Sequence, residues 1–262
     1  MASVRSAELS WRMIEEARGR GAAVIVPMGS TEEHGPHSPT GDYLITDAIA
    51  ESVAQATGDL VTPTIPFSYS EYFRHYPGTI TLQAETLRLL VRDVVGSLLD
   101  EEFRHIILFN GHKGNEPILQ TLIREFRRER GVLVPVVAPL GFAQSGPLMR
   151  ELYGDNPIGH GGEPVGSMMS HVRPELVDLD RAEDWGSLPY FGQETATLNG
   201  FTFRGHPVML AINMEEVTPP SGSLSDPRLA SRERGERLVA NAVEGLTAFV
   251  RWFKTTDPSV AP

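Results

Sequence analysis

Twice in this chain a short apolar run ends in a glycine-rich polar loop, and an amphipathic helical pattern follows. The first run covers residues 22–27 and leads into the loop at residues 29–42. The second covers residues 104–109 and leads into the loop at residues 110–115. This alternation predicts a parallel sheet with helices on both faces. Ligands bind such sheets beyond the carboxyl ends of the strands, which is where both loops lie.

The rest of the chain is consistent with one α/β domain over residues 1–262. Apolar spacing predicts further helices at residues 84–99 and 228–253 and a strand at residues 132–140. Residues 178–205 lack periodicity and are predicted to be irregular. A chain of 262 residues, 40% hydrophobic and 22% charged, can form one large domain.

Composition excludes several classes of function. The chain has no cysteine, so it has no thiolate metal site, disulfide or cysteine nucleophile. Its net charge of −11 argues against nucleic acid or an anionic membrane as a partner. The polar start shows no signal peptide, and no apolar run approaches the ~20 residues of a membrane span. We therefore expect a cytoplasmic protein.

The loop at residues 29–42 has the residue types of a metal site. Carboxylates and imidazoles are ligands that zinc, manganese and iron(II) accept. In an extended segment, Glu32 and His34 point to the same side. Asp42 follows a proline-bounded excursion and can close the site, whereas Glu33 and His37 are expected to support it.

Two later segments offer further candidates. His112 stands at the end of the second strand, and the adjacent glycine lets backbone approach a ligand closely. Asn110 and Asn115 are expected to tie that loop by hydrogen bonds. His160 and Glu163 are three residues apart, which would place them on one helical face. A glycine-rich loop that only caps a helix explains this last pair equally well.

Other chemistries have no comparable signal. The sequence contains no GxSxG motif, no P-loop and no GxGxxG that opens a helix. Ser30 beside Glu32 and His34 suggests a hydrolase triad, but a serine nucleophile does not need so many carboxylates. His105, His171 and His206 are interpreted as packing or surface residues.

Several of these segments resemble the creatininase family. They are GSTEEHGPH at residues 29–37, NGHKGN at 110–115, HGGE at 160–163, RPELV at 173–177 and SDPRLA at 225–230. The resemblance spans most of the chain in the same order. It implies a three-layer α/β/α sandwich with a mainly parallel central sheet, two divalent metal ions per chain and a homo-oligomer, a hexamer assembled from dimers.

The resemblance also implies a set of ligands. Glu32, Asp42 and His112 would hold one metal, and His34 would hold the second with Asp42 as the bridge. Asp47 lies too far into the following helix for that role. Creatininase itself has a glutamate where this chain has Gly114, so Glu163 is expected to supply the missing carboxylate.

The pocket departs from that of creatininase. Phe73 stands where a histidine is common in the family, and Val165 and Gly166 replace a familiar Glu-Thr pair. Tyr72 and Arg74 are expected to contact substrate hydroxyls, with loop packing as the simpler explanation. Creatinine itself is therefore not the expected substrate.

The function implied is hydrolysis of an amide or cyclic-amide C–N bond in a small polar molecule. A water activated by the metals would attack the carbonyl, and His160 would pass a proton to the leaving group. The alternative is ring opening of a keto-inositol at a C–C bond, which the family also includes. A third reading is a non-catalytic metal-binding relative, favoured by the missing acidic residues.

Overall fold

A four-stranded parallel sheet lies at the centre of the computed structural model, which describes residues 3–197 and 199–260. Its strands are β1 (Val24–Met28), β2 (Leu60–Val61), β3 (Ile106–Asn110) and β4 (Val136–Val137). Their order is β2-β1-β3-β4, and every neighbouring pair is parallel. The predicted α/β class with a mainly parallel sheet is confirmed.

Helices cover both faces of this sheet. The α-helices are α1 (Trp11–Gly19), α2 (Tyr43–Thr57), α3 (Ala84–Asp100), α4 (Glu116–Arg130), α5 (Pro139–Ala143), α6 (Leu148–Tyr153), α7 (Val165–Val172) and α8 (Arg232–Phe253). One hydrophobic core joins the sheet to α2, α7 and α8, and a second joins it to α3 and α4. The molecule therefore has three layers.

The pleat of β1 divides its side chains between the two cores. Ile25 packs in the core with α2 and α8, whereas Val24 and Val26 pack in the core with α3 and α4. All five residues of β1 and of β3 are buried. Burial on both faces explains why these strands are continuous apolar runs in the sequence.

Glycines end two of the helices that follow the site loops. Gly58 (φ 72°) and Gly131 (φ 60°) adopt the left-handed conformation just after α2 and α4. Glycine takes this conformation without a steric penalty, so it stops a helix cleanly. Each of these helices therefore ends at its glycine.

The predicted strand at residues 132–140 is much shorter in the structure, and the segment at residues 60–66 likewise contains only a short strand. Within residues 60–66 only Leu60–Val61 pairs as a strand, and within residues 132–140 only Val136–Val137 does. Prolines interrupt both segments, and a proline nitrogen cannot donate to a sheet ladder. The edges of the sheet are therefore short.

The prediction of irregular structure at residues 178–205 was wrong in part. Strands β5 (Thr195–Thr197), β6 (Gly200–Phe203) and β7 (His206–Met209) form a separate antiparallel sheet. Strand β7 is exposed along its whole length, and β6 is mostly exposed. Strands without a buried face lack the alternation that identifies a strand in a sequence.

None of the described helices is long and apolar enough to cross a membrane. The prediction of a single domain over residues 1–262 stays a prediction.

Asp47 on α2 anchors the N-terminal segment. The Arg5 guanidinium donates to both of its carboxylate oxygens, at 3.1 and 2.7 Å, and to Glu51 at 2.6 Å. Burial opposes ionisation of Asp47, but the hydrogen bonds from Arg5 and Thr64 and the charge of Arg5 together outweigh it and lower the pKa of Asp47. Asp47 is therefore committed to a structural pair rather than to the site loop.

We expect Arg5→Ala to lower the free energy of unfolding by about 1–2 kcal/mol at pH 7, since it removes charge-assisted hydrogen bonds. The folded state lowers the pKa of Asp47, so its contribution is present above the unfolded value near 3.8 and is lost as pH falls through the folded value. Urea unfolding at pH 7 and pH 3 should show a smaller difference between wild type and variant at pH 3.

Arg150→Ala is the control, because the Arg150 side chain makes no ion pair among the described residues. A difference for Arg5→Ala that is unchanged at pH 3 would contradict the assignment.

Candidate metal centre

The two site loops leave the sheet side by side. Strands β1 and β3 are adjacent and parallel, and Met28 stands opposite Asn110 at their carboxyl ends. The Gly111 amide donates to the Met28 carbonyl at 2.8 Å. A Cβ on Gly111 would lie 1.9 Å from the Thr46 hydroxyl of α2, so close helix packing requires glycine here. The loops are thereby fixed next to each other.

Glu32, Asp42 and His112 form the first group of possible ligands, with one donor atom from each within 4.8 Å of the others. The Nδ1 atom of His112 lies 3.3 Å from a Glu32 oxygen and 3.9 Å from an Asp42 oxygen. Its Nε2 atom donates to the Tyr69 carbonyl at 2.9 Å. The bond to Tyr69 leaves Nδ1 directed at the two carboxylates.

Without a metal, the charges of this group depend on one another. Burial raises the pKa of Asp42, and the charge of Glu32 adds to it, giving about 7. Burial also disfavours the charged forms of Glu32 and His112, but their attraction outweighs it. The pKa of Glu32 falls to about 2 and that of His112 rises to about 9. A protonated His112 thus supplies positive charge between the two carboxylates.

Glu32, His34 and His160 form a second group within 4.8 Å, so Glu32 belongs to both groups. The Nδ1 atom of His34 donates to the Glu32 carbonyl at 3.1 Å. The Nε2 atom of His160 lies 2.7 Å from the Glu33 carbonyl oxygen and 3.0 Å from its carboxylate. The two imidazole rings are 4.4 Å apart.

The residues of both groups fit divalent cations. The Oε2 atom of Glu32 is buried and has no hydrogen-bond partner among the described residues. A buried carboxylate oxygen without a partner is costly unless a cation or proton meets it. The donor atoms are carboxylate oxygens and imidazole nitrogens, which suit zinc and manganese.

The structure does not bring Glu163 to these groups, contrary to the predicted ligand role. Its side chain is fully buried, and its carboxylate accepts hydrogen bonds from Tyr153 and, at 2.9 Å, from Ser167. The prediction assumed that residues 160–163 are helical. They form a turn through Gly161 (φ 69°), and α7 begins only at Val165, so His160 and Glu163 point apart.

The side chains expected to contact substrate or support the loop stay predictions in those roles, and their observed partners lie outside the two ligand groups. Arg74 is exposed and pairs with Glu71 at 2.6 Å. Tyr72 packs edge-on against Tyr69 and Phe73. The ring of His37 is buried with no hydrogen bond to either nitrogen among the described residues, and its carbonyl accepts from the Asp178 amide at 2.9 Å. None of the three belongs to either ligand group.

Asn110 and Asn115 form hydrogen bonds within the second loop. The side-chain oxygen of Asn110 accepts from the His112 amide at 3.3 Å and from the Asn115 side chain at 3.1 Å. Asn115 accepts from the Tyr69 amide at 3.2 Å. The pair holds His112 in register with the segment that contains Tyr69.

Three contacts of the centre were not specified by the sequence, although Glu33 was expected to support the loop. Tyr69 supplies a carbonyl to His112, Glu33 contacts His160 with both its carbonyl and its carboxylate, and Phe73 stacks on the His160 ring at 4.3 Å. A backbone carbonyl leaves no signal in a sequence. Glu33 did leave a signal in the sequence. It is a second acidic residue between two candidate ligands, and such a residue needs a partner once it is buried.

Gly114 lies against the back of His112. A Cβ at this position would be 2.4 Å from His112 Nε2 and 2.5 Å from the Tyr69 carbonyl oxygen. Contacts below 3.0 Å force one of the groups to move. Any side chain at residue 114 would therefore disturb the hydrogen bond that orients His112.

Comparison with known proteins agrees with this geometry. The family model described as creatinine amidohydrolase (creatininase) matches residues 7–250. The chain is 30% identical to creatinine amidohydrolase of Pseudomonas putida, over 95% of this chain and 96% of that protein. This chain belongs to the creatininase family. It is also 29% identical to a mycofactocin precursor peptide peptidase of Mycobacterium ulcerans, over 90% of this chain and 87% of that one.

Solved structures give the same result. A mutant creatininase complexed with creatine is 28% identical and has a TM-score of 0.80, covering 97% of this chain and all of that one. Other creatininase structures are described as containing manganese or as a zinc–zinc type. The predicted family and fold are confirmed, and the chain is a hydrolase of a metal-dependent family.

The match to an inositol-ring enzyme is only partial. The chain is 34% identical to 3-dehydro-scyllo-inosose hydrolase of Thermotoga maritima, over 46% of this chain and 39% of that protein.

We expect Gly114→Ala to separate His112 from Tyr69. The crowding should lower the free energy of unfolding by about 1–3 kcal/mol, and loss of the orienting bond should weaken cation binding about 10-fold or more. Thermal unfolding and metal titration measure the two effects. Gly96→Ala is the matched control, because Gly96 is helical with nothing within 4 Å of an added Cβ. Equal behaviour of the two variants would contradict the packing argument.

We expect Glu163→Gln to keep the wild-type metal content, because Glu163 bonds only to hydroxyl groups in its surroundings. Asp42→Asn, an equally conservative change inside the first group, should lose metal. Metal analysis of both purified variants makes the comparison. If the Glu163→Gln variant lost a cation, Glu163 would have to be a metal ligand after all.

Proposed function

We propose that this protein is a hydrolase that uses two divalent cations to cleave an amide or cyclic-amide C–N bond in a small polar substrate. The observation that carries the proposal is the buried group of Glu32, Asp42 and His112 at the carboxyl ends of two parallel strands. Two relatives that cover most of the chain are named for C–N cleavage, one on creatinine and one on a peptide.

The first cation would be held by Glu32, Asp42 and His112. The second would be held by His34 together with Glu32, with Asp42 as a further carboxylate within the cluster. When bound, such cations polarise a carbonyl and lower the pKa of water. Zinc and manganese both suit this donor set, and iron(II) is compatible with it.

Hydrogen bonds within the protein orient the candidate ligands of this site in the absence of substrate. The carbonyls of Tyr69 and Glu32 each hold the proton of one imidazole nitrogen, at His112 Nε2 and His34 Nδ1. The other nitrogen of each ring is then free to act as a ligand. Phe73 stacks an apolar ring on the imidazole of His160. These contacts fix the orientation of the three imidazole rings.

The Phe73 ring also bears on the substrate. An aromatic wall cannot donate a hydrogen bond to a polar ring of the creatinine kind, as an imidazole at that position would. We therefore propose a substrate other than creatinine.

A second candidate is ring opening of a keto-inositol at a C–C bond. The partial match to the Thermotoga maritima hydrolase supports it. A panel of cyclic amides, short peptides and keto-inositols, assayed side by side with the zinc-loaded and manganese-loaded protein, distinguishes the two. Turnover of keto-inositols alone would replace the C–N proposal.

We further propose that the protein acts in the cytoplasm as a homo-oligomer, a hexamer by family resemblance. Exposed apolar side chains on the β5–β7 sheet, among them Phe203 and Met209, support self-association. Light scattering coupled to gel filtration measures the assembly, and a monomer at working concentration would contradict it.

We expect removal of metal by a chelator to abolish turnover and its re-addition to restore it. His112→Ala and Asp42→Ala should each lower turnover by more than about 100-fold, because each removes a ligand of the first cation. Circular dichroism should show that both variants fold. His75→Ala, which changes an exposed histidine, is the control. Full activity in a metal-free sample would indicate a mechanism that does not use metal. Absence of activity in a metal-loaded sample would indicate that the protein is a non-catalytic relative.

A further inference from the structure

We infer that His160 is a ligand of the second cation, which would make that site rich in nitrogen. The inference rests on the two-cation site proposed above and changes the role expected for His160, from proton transfer to metal binding. A nitrogen of His160 lies within 4.8 Å of ligand atoms on Glu32 and His34. His160 is largely buried, with 15% of its side chain exposed.

The three histidines of the centre share one hydrogen-bonding pattern. In each ring one nitrogen donates to a backbone carbonyl: His34 to Glu32 at 3.1 Å, His112 to Tyr69 at 2.9 Å and His160 to Glu33 at 2.7 Å. Histidines that bind metals typically donate their other ring N–H to a carbonyl or carboxylate. In His160, Nδ1 has no hydrogen bond to the described residues and remains available as a ligand.

The carboxylate of Glu33 strengthens this arrangement. It lies 3.0 Å from His160 Nε2, on the same nitrogen that donates to the Glu33 carbonyl. A carboxylate behind a metal-binding imidazole fixes its tautomer and raises its basicity. The hydrogen bond to the carbonyl counts against proton transfer from Nε2, because a proton donated to the Glu33 carbonyl is not directed at substrate.

Packing holds the His160 ring in one orientation. Phe73 stacks on it at 4.3 Å with an angle of 18°, and the His34 ring lies 4.4 Å away. Phe73 is itself buried. A ligand whose orientation is fixed in advance loses little entropy when a cation binds.

Apart from the carboxylates of Glu32 and Asp42, the described residues offer His160 as the further donor for the second cation. Residue 114 is a glycine with no room for a side chain, and the Glu163 carboxylate is bonded to Tyr153 and Ser167. Within residues 3–197 and 199–260, the group that contains His34 is completed by His160. The second site would therefore have two imidazole nitrogens, from His34 and His160, against one in the first.

Metal content tests this inference without reference to activity. The full-length protein is stripped, reloaded with Zn²⁺ and analysed, with affinities from chelator competition. Wild type should bind two Zn²⁺ per chain. His160→Phe, which keeps a ring to stack on Phe73, should bind one, and so should His160→Ala. His75→Ala should bind two.

The Glu33→Gln variant distinguishes the role of His160 as a ligand from the role of Glu33, which orients His160. It keeps a hydrogen-bond acceptor for His160 but removes the negative charge. We expect two Zn²⁺ per chain, with the weaker one bound about 10-fold less tightly than in wild type. A merely structural role for His160 would leave this affinity unchanged.

X-ray absorption of the zinc-loaded wild type provides a measurement that needs no variant. Three imidazoles should be found for two Zn²⁺, whereas two would be found if His160 is not a ligand. Two Zn²⁺ bound to His160→Phe at wild-type affinity, or one Zn²⁺ bound to wild type, would overturn the inference. Failure of amide hydrolysis by a two-zinc protein would instead overturn the proposed function.

Discussion

The repulsion between two buried carboxylates is the constraint on which the rest of the site depends. Glu32 and Asp42 face the same imidazole in a region from which water is largely excluded. Two negative charges there are stable only if positive charge lies between them. Without metal, His112 supplies it by binding a second proton, as its raised pKa indicates. A divalent cation would supply it more completely and return His112 to its neutral, ligating form.

The segment between β2 and α3 serves the centre in two ways. Through Tyr69 it fixes the tautomer of His112, and through Phe73 it fixes the ring of His160. The segment therefore acts on both groups of possible ligands, since His112 belongs to the first and His160 to the second. A change at Phe73 would disturb the ring of His160.

The sequence predicted the parts of the site that depend on local order along the chain. Glu32, Asp42 and His112 follow buried strands, and parallel neighbouring strands bring their ends together. Glu163 could not be placed in this way, because a left-handed turn at Gly161 rotates the chain between it and His160. Spacing in a sequence predicts a shared face only where the segment is regular.

The fold, like the site, has some elements that the sequence predicted and others that it did not. The continuous apolar strands β1 and β3 and the amphipathic helices α3 and α8 were evident, because their burial depends on side chains that the sequence shows. The exposed strands β6 and β7 were not, since their pairing depends on backbone hydrogen bonds and a tight turn at Gly205. Their apolar side chains point to solvent, which a burial-based reading does not anticipate.

The three segments of the centre are far apart in the chain: His160 reaches back 127 positions to Glu33, and His112 reaches back 43 to Tyr69. An unfolded chain cannot hold its donors together, so cations bind the native state almost exclusively. Free metal at 1,000 times its dissociation constant would then stabilise the native state by about 4 kcal/mol. The metal supply of the cell would thus control how much of this protein survives proteolysis, before it controls how fast the protein works.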